Sequence, residues 1–129
     1  MAKSPAADGR PPVAIGHIEY RVADVAKSAT FLRALGVRPI YRDRAFGVME
    51  LRGGTHLILT KSKEPIAKKT PAPFDFVVDD VDAFRSTCRK QGLKPSRMTR
   101  GSVHDWFELV DPSGYTLTIL SSHAGGRSV

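Results

Sequence analysis

Three histidines, His17, His56 and His104, lie in segments that alternate apolar and polar residues, and each falls on the polar side of its segment. Imidazole is a favoured ligand for zinc, iron and nickel, so the trio is a candidate site for a divalent metal. Their spacing leaves the mutual distances open, and three separate hydrogen-bonding side chains fit the pattern as well. His104 and Asp105 do not make a dyad, because adjacent strand residues point to opposite faces. Two carboxylates share the polar side: Glu50 in Met49-Glu50-Leu51 and Glu108 in Phe107-Glu108-Leu109, strings that read as equivalent. Either serves as a general base if desolvated, whereas a solvated pair would do no chemistry. His17, Glu50 and Glu108 are therefore the candidate catalytic residues. Trp106 offers a flat face for a planar ligand or simply fills a cavity floor, and Phe46 stands at the place read as its counterpart.

The elements that carry these groups occur twice. Gly16 to Gly36 opens on a period-2 strand and continues into a helix that Asp24 can cap and Gly36 can end. Shifted by 56, Val22, Asp24, Val25, Gly36 and Pro39 become Val78, Asp80, Val81, Gly92 and Pro95. Strands are expected at 13–22, 38–43, 46–51 and 55–60 and again at 74–78, 94–99, 103–110 and 115–120, with helices at 25–35 and 81–91. Residues 1–12 read as a loose tail, 61–72 as a Lys- and Pro-rich linker, and 121–129 as a second tail. One domain at 13–120 thus comprises two βαβββ modules, 13–60 and 73–120.

Strand parity separates two faces. Ile18, Tyr20, Val22, Met49, Leu51, Leu57, Leu59, Phe74, Phe76, Val78, Phe107, Leu109, Leu117 and Ile119 form an apolar set that must pack on the helices. The other set mixes charge and aromatics: His17, Glu19, Arg21, Phe46, Val48, Glu50, His56, Ile58, Asp75, Val77, His104, Trp106, Glu108, Thr116 and Thr118. A face of that kind is either plain surface or the lining of a ligand cavity, and its aromatics favour the cavity.

Composition narrows the partners. The chain has 129 residues and a formal net charge of +7, which suits solubility and also an anionic ligand. One cysteine, Cys88, excludes an internal disulfide. No apolar run approaches the ~18 residues of a membrane span, and no leader is evident, so a cytoplasmic location is expected. There is no phosphate loop and no nucleic-acid signature.

Gly16-His17-Ile-Glu-Tyr-Arg-Val-Ala-Asp24, Phe76-Val-Val-Asp-Asp80 and Phe107-Glu-Leu-Val-Asp-Pro-Ser-Gly-Tyr-Thr-Leu-Thr118 together resemble the vicinal oxygen chelate superfamily. That group includes glyoxalases, fosfomycin-modifying transferases, extradiol dioxygenases and bleomycin-resistance proteins. The resemblance covers roughly Ile15 to Leu120. It implies an α+β fold in which two βαβββ modules form a cup-shaped, mostly antiparallel mixed sheet with helices on the outer face, often completed in a homodimer.

The resemblance also locates a metal site, with ligand positions falling here on His17, Ile58, Pro73 and Thr118. Only His17 is a good ligand, so the family's metal chemistry is not expected. In glyoxalases the arginine matching Arg21 holds a carboxylate, a role that guanidinium geometry suits; a salt bridge near Glu19 or to Asp75 is the alternative. The reading is therefore a metal-independent binder of a small anionic or aromatic molecule. Its expected ligand-binding set is His17, Glu19, Arg21, Phe46, Val48, His56, Asp75, His104, Trp106 and Thr118, without a cofactor. The alternative is a lyase or dioxygenase-type enzyme with a divalent metal at His17, His56 and His104, or with an acid/base pair.

Overall fold

A computed structural model describes residues 8–129. Of the expected tail 1–12, residues 1–7 lie outside that range. The element order is β1 (His17–Val22), α1 (Val25–Ala34), β2 (Arg38–Arg42), β3 (Phe46–Glu50), β4 (His56–Lys61), β5 (Phe76–Val78), α2 (Val81–Lys90), β6 (Thr99–Arg100), β7 (Asp105–Val110) and β8 (Thr116–Ser121). A 3₁₀ turn, Arg52–Gly54, joins β3 to β4. The fold is α+β, two βαβββ modules in sequence.

Each module makes one four-stranded mixed sheet, ordered β1-β4-β3-β2 and β5-β8-β7-β6. The first and last strands of a module run parallel, and the remaining pairs are antiparallel. The helices start as the sequence dictates. Asp24 accepts from the Lys27 amide at 3.0 Å and Asp80 from the Ala83 amide at 2.9 Å. Gly36 and Gly92 follow the helix ends with φ of +93° and +81°, where a side chain would be strained.

The core joins both modules. Tyr20, Val22, Met49, Leu57 and Leu59 from the first sheet and Phe107, Leu109, Leu117 and Ile119 from the second are buried with Leu32, Val81 and Cys88. Ile18, Leu51, Phe74, Phe76 and Val78 pack against them, partly buried. The apolar parity set is thus the helix-facing side, leaving the mixed set on the open side.

Several strand limits differ from expectation, chiefly where proline intervenes. Residues 13–16 precede β1 rather than joining it. The segment expected as a strand at 94–99 contributes only Thr99–Arg100. Pro95 has no N–H to donate, and the Ser96 hydroxyl takes the Glu108 amide at 2.8 Å while the Ser96 amide bonds the Glu108 carbonyl at 2.9 Å. The linker is not wholly free either. Lys61 belongs to β4, Pro71 bridges to Thr116, and the Ala72 amide bonds the Thr116 carbonyl.

Candidate functional site

The register arranges the open side of the first sheet in rows. His17 pairs with His56, His56 with Glu50, and Glu50 with Arg38. The next row is Glu19, Ile58, Val48 and Tyr41, and the third is Arg21, Thr60 and Phe46. The first row is a continuous polar chain. The His17 and His56 rings stack with centroids 6.0 Å apart, His56 Nε2 lies 3.0 Å from Glu50 Oε2, and Arg38 approaches Glu50 Oε1 at 3.3 Å. A carboxylate only accepts, so His56 Nε2–H donates and Nδ1 of the neutral ring keeps its lone pair. The third row places Phe46 roughly 10 Å from Arg21, two strand spacings away across Thr60.

Arg21 is held by Glu19, Nε to Oε1 at 2.8 Å. That hydrogen bond keeps the Glu19 carboxyl below its usual range and the Arg21 guanidinium above its own. Among the described residues the two terminal nitrogens of Arg21 have no hydrogen-bond partner. Glu19 and Arg21 line a cavity of about 300 Å³ with Pro71, Pro73 and Tyr115. Tyr115 is fixed there by donating its hydroxyl to the Arg21 carbonyl at 2.7 Å.

The second sheet is different in kind. Val77, Leu120, Trp106 and Thr99 make one row, and Thr118 pairs with Glu108 in the next. Asp75 stands one residue before β5 and is exposed. His104 precedes β7, bonds the Ser121 carbonyl through Nδ1 at 2.8 Å, and meets the His123 ring edge-on at 4.8 Å.

The structure therefore brings His17, His56 and Glu50 together but places His104 with His123 at the second sheet. Among the described residues no group of three or more His, Cys, Asp or Glu side chains is positioned to hold a metal ion. The positions that the resemblance marks as ligands do not fit one: Ile58 and Pro73 lack side-chain donors, and Thr118 offers a hydroxyl beside Glu108.

One expected equivalence is corrected. Tyr20 pairs with Leu59 and Phe76 with Ile119, an offset of 60 for the last strand. Phe46 pairs with Thr60 and Trp106 with Leu120, so Phe46 does correspond to Trp106. Glu50 pairs with His56, whose counterpart Thr116 pairs with Val110, so Glu50 corresponds to Val110 and not to Glu108. The look-alike Met-Glu-Leu and Phe-Glu-Leu strings are slipped by two residues, a slip that keeps every side chain on its face.

Arg38, Tyr41, Tyr115 and Leu120 were not singled out by sequence. Parity from Thr118 was signal enough for Leu120. No local pattern joins Tyr115 to Arg21, since the contact spans 94 residues.

A family model described as the Glyoxalase/Bleomycin resistance protein/Dioxygenase superfamily matches residues 14–119. No curated protein sequence matches. Among solved structures, a lactoylglutathione lyase from Agrobacterium tumefaciens aligns with a TM-score of 0.71 at 17% identity, covering 91% of this chain and 99% of that one. A Bacillus cereus structure described as a possible glyoxalase aligns at 0.64 with 25% identity, covering 83% and 97%. The oxidase ChaP-H2 aligns at 0.68 with 23% identity, covering 87% and 95%.

Proposed function

Because the chain belongs to the Glyoxalase/Bleomycin resistance protein/Dioxygenase superfamily, we propose that it binds a small anionic or aromatic molecule on the open sheet side, without a metal. The observation that carries this reading is Arg21. With Glu19, two prolines and Tyr115 it lines a cavity of about 300 Å³, and its terminal nitrogens have no hydrogen-bond partner among the described residues. A carboxylate on Arg21 gains a charge-assisted hydrogen bond, while an attached ring packs on Tyr115 and the prolines. Trp106 belongs to the other sheet and is not among the residues lining this cavity, so Tyr115 replaces it as the nearest aromatic wall. The lack of side-chain donors at Ile58 and Pro73, and the weak hydroxyl donor at Thr118, argue against a metal-assisted reaction. Homodimer formation is part of the proposal, since the exposed Phe46 and Tyr41 side chains on this face would then be covered.

The test is titration with a panel of aromatic and aliphatic acids by calorimetry, in wild type and Arg21→Ala. Loss of roughly three- to fivefold in acid affinity is expected, the scale of one exposed ion pair. Acid binding that Arg21→Ala leaves unchanged would overturn the reading.

The Glu50–His56 contact supports a second reading, an acid/base enzyme. Glu50 orients His56 so that Nδ1 can accept a proton from a carbon or oxygen acid. Deuterium exchange from solvent into a bound carbonyl acid, lost in His56→Gln, is the measurement that would favour it; exchange that survives His56→Gln would remove it.

A further inference from the structure

The two modules meet at two related junctions, and the β1 positions that line the Arg21 cleft have counterparts lining a cavity at the other. The offset of 56 between β1 and β5 makes Asp75 the partner of Glu19 and Val77 the partner of Arg21. Asp75 and Val77 line a cavity of about 330 Å³ between the end of α1 and β3 on one side and β5 and α2 on the other. Its walls are apolar and come from both modules: Leu35, Val37 and Leu51 opposite Phe76 and Phe84. The replacement of Arg21 by Val77 removes the cation that defines the first cleft.

The charges that remain are acidic. Glu50 and Asp75 both line the cavity. The one lining cation, Arg52, is engaged by Asp79 through a two-pronged contact at 3.2 and 3.1 Å. Asp75 has no ion-pair partner among the described residues, whereas Glu50 already serves Arg38 and His56. We infer that this second cleft binds a small amphipathic cation, an arylalkylamine in type, with its ring between Leu51, Phe76 and Phe84 and its ammonium on Asp75. The volume lies at the small end of ligand pockets, which suits one ring and a short chain. The site is separate from the Arg21 cleft and opposite in charge preference.

The experiment titrates the full chain with phenethylamine and, separately, with the isosteric acid phenylpropionate, followed by amide proton–nitrogen NMR. The amine is expected to give saturable shifts at Leu51, Phe76 and Phe84 while leaving Arg21 and Tyr115 unmoved. Asp75→Asn, a surface change, should weaken amine binding roughly three- to fivefold with an unchanged melting temperature, the scale of a part-exposed ion pair. The inference is overturned if the amine gives no saturable shifts at millimolar concentration, or shifts the Arg21 cleft instead. It is equally overturned if the neutral alcohol isostere binds as tightly as the amine, or if Asp75→Asn leaves amine affinity intact. The acid arm reports on the Arg21 cleft alone, so either site can fail without the other.

Discussion

Tyr20 and Asp111 meet where the β7–β8 turn folds over β1, and at the other junction Phe76 and Leu51 hold the corresponding places. The two turns share one backbone plan: the Leu51 amide bonds the Thr55 carbonyl at 2.8 Å, and the Asp111 amide bonds the Tyr115 carbonyl at 2.9 Å. In the second module the plan becomes a polar lock. Asp111 is buried, its Oδ1 accepts from the Ser113 and Tyr115 amides at 2.9 Å each, and its Oδ2 accepts from the Tyr20 hydroxyl. The Ser113 hydroxyl then takes the Ala23 amide at 2.9 Å. In the first module the same positions are apolar, and among the described residues only an exposed Arg52–Asp79 contact reaches across. One junction is closed by directional bonds. The other is closed by apolar side chains, with a cavity of about 330 Å³ beside them.

The difference is broken most severely at Asp111. Asp111→Ala leaves two amides and the buried Tyr20 hydroxyl without their acceptor, an expected loss of about 2–4 kcal/mol in unfolding free energy. Leu51→Ala at the matching place should cost only about 1–2 kcal/mol, because Leu51 is partly buried. Urea denaturation of both variants measures the pair. Equal losses would mean that the polar lock adds nothing over apolar contact.

How much of this was legible depends on sequence distance. The caps Asp24 and Asp80, the helix stops Gly36 and Gly92, and the faces of the strands are local signals, and the fold followed from their repetition. The pairing of Glu50 with Glu108 was misleading because a two-residue slip changes the row without changing the face. The Tyr20–Asp111 bond spans 91 residues, so Asp111 in Val-Asp-Pro-Ser-Gly read as turn chemistry alone. Pro71 looked like linker and Pro73 like a ligand position without a donor, and both instead wall the Arg21 cleft. His17, His56, Glu50, Glu19 and Arg21 were visible singly. Arg38, Tyr41 and Tyr115 needed the register or the tertiary contact.

Alkaline pH sharpens the contrast with a smaller effect. Burial and the hydrogen bond to Asp111 push the Tyr20 phenol well above its ordinary value near 10. The unfolded chain therefore releases this proton first, and stability present below pH ~10 falls as pH rises further, by up to about 1.4 kcal/mol per pH unit. Tyr20→Phe should lose stability at neutral pH and also flatten that alkaline decline. Phe76 cannot ionise, so Phe76→Leu should shift stability without altering the slope. Parallel slopes in wild type and Tyr20→Phe would show that the lock does not hold the phenol neutral.

The smallest expected effect is at the surface contact of the other junction. Arg52 and Asp79 side chains are 65% and 78% exposed, so water and salt screen the pair even though its geometry is two-pronged. A double-mutant cycle with Arg52→Ala and Asp79→Ala should return a coupling of about 0.2–1 kcal/mol that shrinks as salt is raised. The Ala23–Ser113 contact at the corresponding place involves no charge pair, and Ser113→Ala should show no such salt dependence. The cycle also separates two roles for Arg52. If the guanidinium mainly ties the modules, the coupling appears in unfolding free energy and leaves amine binding alone. If instead it lies over the second cleft as a competing cation, Arg52→Ala would tighten amine binding while the stability coupling stays near zero. The observed fork to Asp79, both prongs near 3 Å, favours the first outcome.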